Sequence, residues 1–538
     1  MATMSWVRGT VLGDFLRFLL GPHCFSYPED DPTFNFRPYK SASSSRSKVS
    51  SQTDLESGQG TPRDAEKLSA ATLSDKSLVI DWYTPNDPEN PLNWSSARKI
   101  WVTLLISVYS FIVYCASSIF VPSYEFMVMR YGVSIEVVQL TLAVYVAGYA
   151  VGPLIFSPLS EIARIGRNPP YGFSFTLFVI VSIIVAVVDS FPAIVVLRFL
   201  QGFFGSPCLA SGGASIKDIF SLTNAPYGYI CWVVGFYCGP ALGPLMAAYA
   251  VHSNWRWPLW EIVLMSAPFL LVLICLLPET SHDTILLHRA RRLRRFHPAV
   301  LAPSETQRLD FQAILIDALI KPTEIAIKDP AIAYMCMYAS LIYAIYYSFF
   351  EAFPLAFSGI YPMPQSSSSL IFLSIIVGCV ISAILYAAYL KFFFIPRCHK
   401  EAPSQEDRLI PALPAVFFLA TGLFLFAWTV RRPVHWIVPA IGVGIYAGSS
   451  FVVFQAIIVY VSLSYPRYVS SLFAANDFAR SITAAGFVMF SRYMYLDLGI
   501  GKGVTVLAGL SVGGIFGMVF IYLYGAKLRA RSKFAVTN

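Results

Sequence analysis

The chain has 538 residues, of which 56% are hydrophobic and 13% are charged. Soluble domains carry about 25% charged residues, and the mean hydropathy of this chain is +0.60. This composition excludes an ordinary soluble protein and indicates a protein embedded in a lipid bilayer. The formal net charge is +8. The basic residues lie in short pieces between apolar runs, which argues against nucleic-acid binding and for membrane topology.

The first 99 residues are predicted to form a cytoplasmic N-terminal tail. The stretch Ser41–Lys67 is rich in serine and poor in aromatic residues, so most of this tail is expected to be disordered. The apolar run "FLRFLL", Phe15–Leu20, is too short to cross a membrane. The chain start also lacks the basic-then-apolar pattern of a signal peptide.

Twelve apolar segments follow, each of about the 20 residues that a transmembrane helix needs. The first six lie near residues 100–122, 138–160, 170–188, 193–212, 226–248 and 258–278. The second six lie near residues 333–355, 368–390, 411–430, 436–460, 474–494 and 503–526.

This pattern predicts an all-α integral membrane protein with 12 transmembrane helices in two halves. The predicted parts are an N-terminal six-helix bundle, a central cytoplasmic loop, a C-terminal six-helix bundle and a cytoplasmic C-terminal tail. Their residue ranges are 100–278, 279–332, 333–526 and 527–538. Two bundles joined by a long loop are typical of alternating-access transporters.

The lysines and arginines of the connections favour one side of the membrane, which the positive-inside rule assigns to the cytoplasm. The basic set comprises Arg98, Lys99, Arg164, Arg167, Lys217, the run Arg289–Arg295, Lys391, Arg397, Lys400, Arg408, Arg467, Lys527, Arg529, Arg531 and Lys533. The other side has Arg130, Arg256, Arg431, Arg432 and Lys502. Both termini are therefore predicted to be cytoplasmic.

Two further features have more than one interpretation. The run "HRARRLRR", His288–Arg295, either binds acidic lipid head groups or is simply a strong topology signal, and the second interpretation is favoured. The nine cysteines show no paired spacing, and most lie inside apolar runs. They are interpreted as small core residues, so no disulfide framework, metal or cofactor is expected.

The stretch "GPLIFSPLSEIARIGRNPP", Gly152–Pro170, resembles the loop between spans two and three of the major facilitator superfamily. More narrowly, residues 80–530 resemble the fungal twelve-span drug:proton antiporters. In that family the acid and arginines of this loop latch the two halves together on the cytoplasmic side. The resemblance therefore implies a cytoplasmic gate containing Glu161, Arg164 and Arg167. The family's commoner loop has fewer residues between acid and arginine, so either arginine is a candidate for the contact. The alternative is that both only enforce topology.

The stretch "RFLQGFFGSP", Arg198–Pro207, resembles the family's fourth-span motif, whose arginine is tied to proton transfer. An arginine inside an apolar run costs about 2.5–3.5 kcal/mol to insert and is a functional candidate by default. Gly202 and Gly205 are expected to let helices approach closely. The alternative places Arg198 near the outer face, reaching lipid head groups.

The stretch "GFYCGPALGP" resembles the fifth-span motif of exporters, where it acts as a hinge and blocks proton leak. Its hinge residues are Gly235, Gly239, Pro240, Gly243 and Pro244. The two Gly-Pro pairs are four residues apart, so they share one helix face and weaken the helix there. This motif favours efflux over uptake.

Glu351, in the outer part of span seven, is a rare intramembrane acid. Its aromatic neighbours are Tyr343, Tyr346, Tyr347, Phe349 and Phe350. Because apolar surroundings disfavour the charged form, Glu351 is predicted to exchange a proton near neutral pH or to pair with a cationic substrate. The alternative is an acid hydrated at the outer interface.

Asp477 and Arg480 are expected at the cytoplasmic start of span eleven, where their spacing allows an ion pair on one helix. A gating role is favoured for them over substrate binding. Glu261, near the outer end of span six, is interpreted as structural.

Together these features predict a proton-coupled exporter of small organic compounds such as drugs, polyamines or toxins, rather than an enzyme. It is expected to be monomeric and to lie in a cell membrane, with the vacuolar membrane as an alternative. Its expected partners are a small-molecule substrate, protons and the bilayer. A proton-coupled uptake symporter of the same fold is the second hypothesis, because fold does not determine direction. A non-transporting sensor is the third.

Overall fold

The computed structural model describes residues 7–21, 26–30, 78–306, 320, 324–325, 328–400, 404–465 and 469–531. The Ser-rich stretch Ser41–Lys67, Arg467 and Lys533 lie outside the described residues. The disorder expected of that stretch therefore stays a prediction.

Twelve long helical segments in the described residues each overlap one predicted apolar segment. Those of the first half are Ser96–Ser118, Ile135–Glu161, Asn168–Val187, the stacked pair Phe191–Gly205 and Pro207–Ile219, Ala225–Ala250 and Trp257–Leu276. Those of the second half are Pro330–Phe353, Leu373–Tyr389, Ala412–Thr429, Ile437–Ser464, Val469–Leu498 and Ile500–Arg531. They are numbered spans 1 to 12 in this order.

The prediction of an all-α membrane protein with twelve transmembrane helices is confirmed. In the part of the chain that the structure describes, 11 helices are long and apolar enough to cross a membrane. The other is span 11, whose apolar sequence is interrupted by Asp477, Arg480 and Arg492. Span 11 begins at Val469 rather than near residue 474. Charged groups inside a membrane helix mark function more often than structure.

Spans 1–6 and spans 7–12 form two bundles that meet along two seams. In one seam, span 5 packs against spans 8 and 10. In the other, span 11 packs against span 2 and against the second segment of span 4. Both seams contain apolar and aromatic residues that belong to one continuous buried core.

The two ends of the molecule differ in charge. The basic end carries the connection between spans 2 and 3, the C-terminal end of span 12, and a helix between the two halves, His282–Leu293, called the loop helix. The opposite end, called the far end, carries the C-terminal end of span 1 and the N-terminal end of span 2. At the basic end lie two further short elements: the N-terminal helix Val11–Leu20, and strand β1, Leu78–Val79, which pairs in parallel with β2, Val300–Leu301.

The N-terminal tail supplies carboxylates to the loop helix. Arg289 is 1% exposed and forms ion pairs with Asp87 at 2.7 Å, Glu89 at 2.9 Å and Glu29 at 3.2 Å. Arg292 pairs with Glu29 and Glu89. Burial raises the pKa of Asp87, but hydrogen bonds and positive charge from Arg289 outweigh it and hold that pKa below its usual value. These two arginines of the run His288–Arg295 are therefore engaged by protein carboxylates rather than by lipid head groups.

Candidate functional site

Arg198 lies in span 4 and is completely buried. Its guanidinium donates to the carbonyl oxygens of Ala116 at 2.8 Å, Ser117 at 2.7 Å and Thr141 at 3.4 Å, and to the side chain of Gln201 at 3.0 Å. Because span 1 ends at Ser118, carbonyls in its last turn have no partner within the helix. Arg198 therefore supplies hydrogen-bond donors, from inside the bundle, to the free carbonyl groups at the end of span 1.

The burial of Arg198 excludes the alternative in which its side chain reaches lipid head groups. The guanidinium carbon lies 4.3 Å from the ring centroid of Tyr145 and 5.2 Å from that of Phe120. A Cβ on Gly202 would lie 2.1 Å from the carbonyl oxygen of Tyr145, so spans 2 and 4 are in backbone contact here, as the sequence predicts. Arg198 thus lies one turn from a close backbone contact between spans 2 and 4.

Glu351 lies near the far end of span 7 and is 3% exposed. Gln139 of span 2 donates to its Oε2 at 2.5 Å, and Nη1 of Arg492 in span 11 lies 3.7 Å from the same oxygen. Its Oε1 has no hydrogen-bond partner among the described residues. The alternative of a hydrated surface acid is therefore wrong. The carboxylate is buried where the first half meets the second.

A chain of hydroxyl groups connects the halves at the middle of the bundle. The hydroxyl of Tyr149 in span 2 lies 2.9 Å from those of Tyr343 and Tyr347 in span 7. Ser117 of span 1 lies 3.1 Å from the Tyr347 hydroxyl. Two of the aromatic residues that the sequence places around Glu351 thus make polar contacts to the opposite half.

Asp477 and Arg480 form a buried ion pair in span 11, with Arg480 Nε 2.9 Å from Asp477 Oδ1. Because span 11 begins at Val469, the pair lies two to three turns inside the helix rather than at its start. Arg480 also donates to the hydroxyl of Tyr114 in span 1 at 2.8 Å. Three aromatic rings surround its guanidinium, those of Tyr343, Phe236 and Phe454, at 4.7, 5.2 and 5.6 Å.

In the connection between spans 2 and 3, Arg167 is the arginine that enters an ion pair. Its Nε lies 2.7 Å from Oδ2 of Asp218, at the basic end of span 4. Glu279, which follows span 6, accepts hydrogen bonds from the backbone nitrogens of Arg167 and Asn168. Arg164 is exposed. These contacts join the connection to spans 4 and 6 of the same half. The latch between the two halves that the resemblance implies therefore stays a prediction.

Gly166 explains why this connection turns so tightly. Its φ is +79°, a conformation that side chains disfavour, and a Cβ there would lie 2.6 Å from the Glu279 carboxylate. Glu161 is exposed at the end of span 2. Asp218 and Glu279 were not predicted from the sequence as partners of this connection, because both are distant from it in the chain.

The halves also meet at both ends of the bundle. At the basic end, Gln455 of span 10 donates to the carbonyl of Pro226 at 2.8 Å, and a Cβ on Gly213 would lie 2.6 Å from the Phe473 ring. At the far end, Gln365 donates to the carbonyl of Pro122 at 2.9 Å. The two halves are therefore in contact at both ends of the bundle.

The glycines of the fifth-span motif form a seam with span 1. A Cβ on Gly235 would lie 2.6 Å from the carbonyl oxygen of Ser107, and a Cβ on Gly239 would lie 2.8 Å from that of Phe111. A Cβ on Gly243 would lie 2.5 Å from Ser118 Oγ. Between these glycines, the carbonyl of Pro240 accepts a hydrogen bond from Ser118 at 2.7 Å. Pro240 and Pro244 lie inside the helix Ala225–Ala250. The motif thus packs against the helix whose end Arg198 caps.

We expect Gly239→Ala to lower stability by about 1–3 kcal/mol because the new methyl group meets backbone rather than a movable side chain. The matched control is Gly486→Ala in span 11, where no neighbouring atom lies within 4 Å. Thermal unfolding of both purified variants checks the prediction. A control variant that loses as much stability as Gly239→Ala would contradict the close contact.

Comparison with known proteins places this arrangement in a family. The family model described as "Major Facilitator Superfamily" matches residues 106–488. The "MFS-type transporter pyvG" of Aspergillus violaceofuscus is 42% identical over 464 residues, which cover 85% of each chain. "Fluconazole resistance protein 1" of Saccharomyces cerevisiae is 36% identical over 465 residues, 85% of this chain and 84% of that one.

A solved structure shares the fold. It is the proton:xylose symporter XylE, at 13% identity and a TM-score of 0.58, covering 80% of this chain and 96% of that one. The chain therefore belongs to the major facilitator superfamily and is a multi-pass membrane transporter of small molecules.

Proposed function

We propose that the protein exports small organic compounds, such as drugs, polyamines or secondary-metabolite toxins, in exchange for protons by alternating access. Relatives named for fluconazole resistance and for cycloheximide resistance support the cargo class. The observation that carries the proton coupling is Glu351, a carboxylate buried at the contact between the halves. No ATP-binding motif occurs in the sequence, which favours an ion gradient as the energy source.

Glu351 is the proposed proton site. In its charged form, the carboxylate accepts a hydrogen bond from Gln139 of the first half, which stabilises the contact between the halves near the far end. Arg492, in the same half as Glu351, holds the carboxylate in place. Protonation removes the charge, so it weakens the hydrogen bond from Gln139 as well as the attraction to Arg492. Because the site is buried, proton binding and opening of the far end are then energetically coupled.

Arg480 and its aromatic neighbours are the proposed cargo site at mid-bundle. The guanidinium is held by Asp477 and Tyr114, so its charge is partly neutralised. Rings of Tyr343, Phe236 and Phe454 surround it and present flat apolar faces. Planar or amphipathic cargo would replace these ring contacts when the halves separate. We therefore assign Arg480 to cargo binding as well as to gating.

The direction of transport and the orientation follow from two sequence features. The repeated Gly-Pro pairs of span 5 favour efflux, and the basic end is assigned to the cytoplasm by the positive-inside rule. Both termini are then cytoplasmic. We also propose that the protein works as a monomer in the plasma membrane, with the vacuolar membrane as the alternative location. Uptake symport is the alternative outcome of the transport assay.

We expect Asp218→Asn to slow turnover about tenfold with little change in equilibrium cargo affinity, because it leaves the Arg167 guanidinium without its ion-pair partner. Glu161→Ala is expected to act in the same direction. The matched control is Arg164→Gln, at an exposed arginine of the same connection. Stopped-flow transport and binding isotherms separate the two parameters. A large affinity change at normal turnover would contradict a gating role.

The function is tested in proteoliposomes that hold a pH gradient. Spermidine, an azole, a planar dye and an aromatic polyketide are added one at a time, and proton flux is recorded. Dissipation of the gradient by one compound supports the proposal and identifies the cargo class. Cargo movement in the same direction as the protons would indicate the uptake symporter. Cargo movement without proton flux would contradict coupling.

A further inference from the structure

We propose that the N-terminal helix Val11–Leu20 is a membrane-interface anchor that inserts its apolar face into the leaflet at the basic end. This helix belongs to the tail that the sequence predicts to be largely disordered. It is too short to span the bilayer, and nothing in the transport site uses it. Its partner is the boundary between lipid head groups and acyl chains.

One face of this helix is apolar and exposed. Val11, Phe15, Phe18 and Leu19 recur at the i, i+4, i+7 and i+8 positions, which lie on one face of a helix. Phe18 is 84% exposed, and Phe15 and Leu19 are 56% and 59% exposed. Two aromatic rings on so short a helix are typical of an interfacial segment.

The rest of the helix is attached to the protein, which fixes the direction of the apolar face. Thr10, the N-cap, forms a bridge with Pro278, and the backbone nitrogen of Glu279 donates to the Gly9 carbonyl at 2.9 Å. Arg17 forms an ion pair with Asp30 at 2.7 Å. The helix therefore has a fixed position beside the end of span 6 rather than hanging from a flexible tail.

The apolar face continues the lipid-facing surface of the spans. The helix packs against spans 3 and 6. On these spans, Phe173 and Leu271, each about one and a half turns from the basic end, are 64% and 67% exposed. An apolar helix face beside such residues lies at the depth where hydrocarbon meets head groups. This continuity selects the bilayer, rather than a second protein, as the occupant.

The anchor is linked to the loop between the two halves. The Tyr27 ring lies under the guanidinium groups of Arg17 and Arg292, at 4.6 and 3.8 Å from their carbons. Glu29 also pairs with Arg292. Through Tyr27 and Glu29, insertion of the N-terminal helix would hold the loop helix at a set height above the membrane.

The test places a photoreactive benzoylphenylalanine at Phe18 of the full chain in lipid nanodiscs. The same probe at Phe173, a lipid-facing position of span 3, is the reference. We expect the yield of lipid adducts at Phe18 to be within about threefold of that at Phe173. A yield below about a tenth of the reference, or adducts to a second copy of the chain, would overturn the proposal.

A second measurement uses the variant in which Phe18→Ser and Leu19→Ser are combined. Both side chains are exposed, so the substitutions leave the protein core intact. We expect hydrogen exchange of the amides of residues 11–20 in nanodiscs to accelerate about tenfold or more, because the helix loses its lipid contact. Unchanged exchange would show that the attachment to spans 3 and 6 alone holds the helix and would overturn the anchor.

Discussion

Glu351→Gln is expected to bind cargo more weakly than the deprotonated wild type and to lose proton-driven transport by about 100-fold or more. Glutamine has nearly the same shape as glutamate and still accepts a hydrogen bond from Gln139. It carries no charge, so the attraction to Arg492 is absent and no proton is exchanged. The variant would therefore resemble a permanently protonated transporter. Proton flux and cargo exchange are measured in proteoliposomes with and without a pH gradient.

Glu261→Gln is the matched control for this prediction. Glu261 is also an acid near the far end of a membrane span, but its Oε2 has no hydrogen-bond partner among the described residues. The control variant should transport within about twofold of the wild type, since its carboxylate does not join the halves. Wild-type coupling in Glu351→Gln would remove that residue from the mechanism.

Arg198→Ala is expected to abolish transport and to lower stability markedly. The substitution leaves the buried carbonyls of Ala116 and Ser117 without their charged donor. Each unsatisfied buried group costs about 1–3 kcal/mol. Arg198→Lys is expected to recover part of the stability but little transport, because an ammonium lacks the planar fork that reaches several carbonyls at once. Thermal unfolding and transport are measured on the same preparations.

Arg256→Ala is a control that tests whether the loss in Arg198→Ala comes only from removing a donor to the carbonyls at a helix end. Arg256 donates to the carbonyl of Val187 at 2.7 Å, so it caps the end of span 3 as Arg198 caps the end of span 1. Its side chain is 21% exposed, and water can replace it. This control should retain transport at about half the wild-type rate or better. Equal losses in Arg256→Ala and Arg198→Ala would assign Arg198 to structure alone.

The spans could be predicted from the sequence because a membrane helix is determined by local composition. Span 11 shows the limit of that rule. Its first turns carry Asn476, Asp477 and Arg480, so the apolar signal starts after the helix does. The charges remain inside the membrane because Arg480 pairs with Asp477 and contacts Tyr114 across the bundle. The spacing on the helix predicts the Asp477 partner, but no local pattern predicts the contact with Tyr114.

The partners of the site residues could not be predicted for the same reason. Arg198 and Glu351 stand out in sequence as charges in apolar runs. Gln139 lies 212 positions from Glu351, and Arg198 binds backbone carbonyls that carry no sequence signature. Packing of the helices brings these groups together. The sequence thus identifies which residues carry chemistry, and the fold determines what each one touches.

The sequence predicts a largely disordered N-terminal tail, whereas the structure places parts of that tail against the loop helix. Low hydrophobicity and many serines indicate disorder over the middle of the tail, which lies outside the described residues. The segments on either side carry Glu29, Asp87 and Glu89, whose counterions are arginines of the loop helix. No local sequence pattern predicts ion pairs between segments that are about 200 residues apart.

The coupling proposed for Glu351 requires that a proton bound there and cargo bound at mid-bundle weaken each other's binding. Purified protein in weakly buffered solution, with a pH-sensitive dye, is mixed with the cargo found in the proteoliposome assay. The wild type and Glu261→Gln should release about one proton per cargo bound, because binding of one ligand weakens binding of the other. Glu351→Gln should still bind the same cargo, more weakly, and release none. Equal proton release from Glu351→Gln and the wild type would contradict the claim.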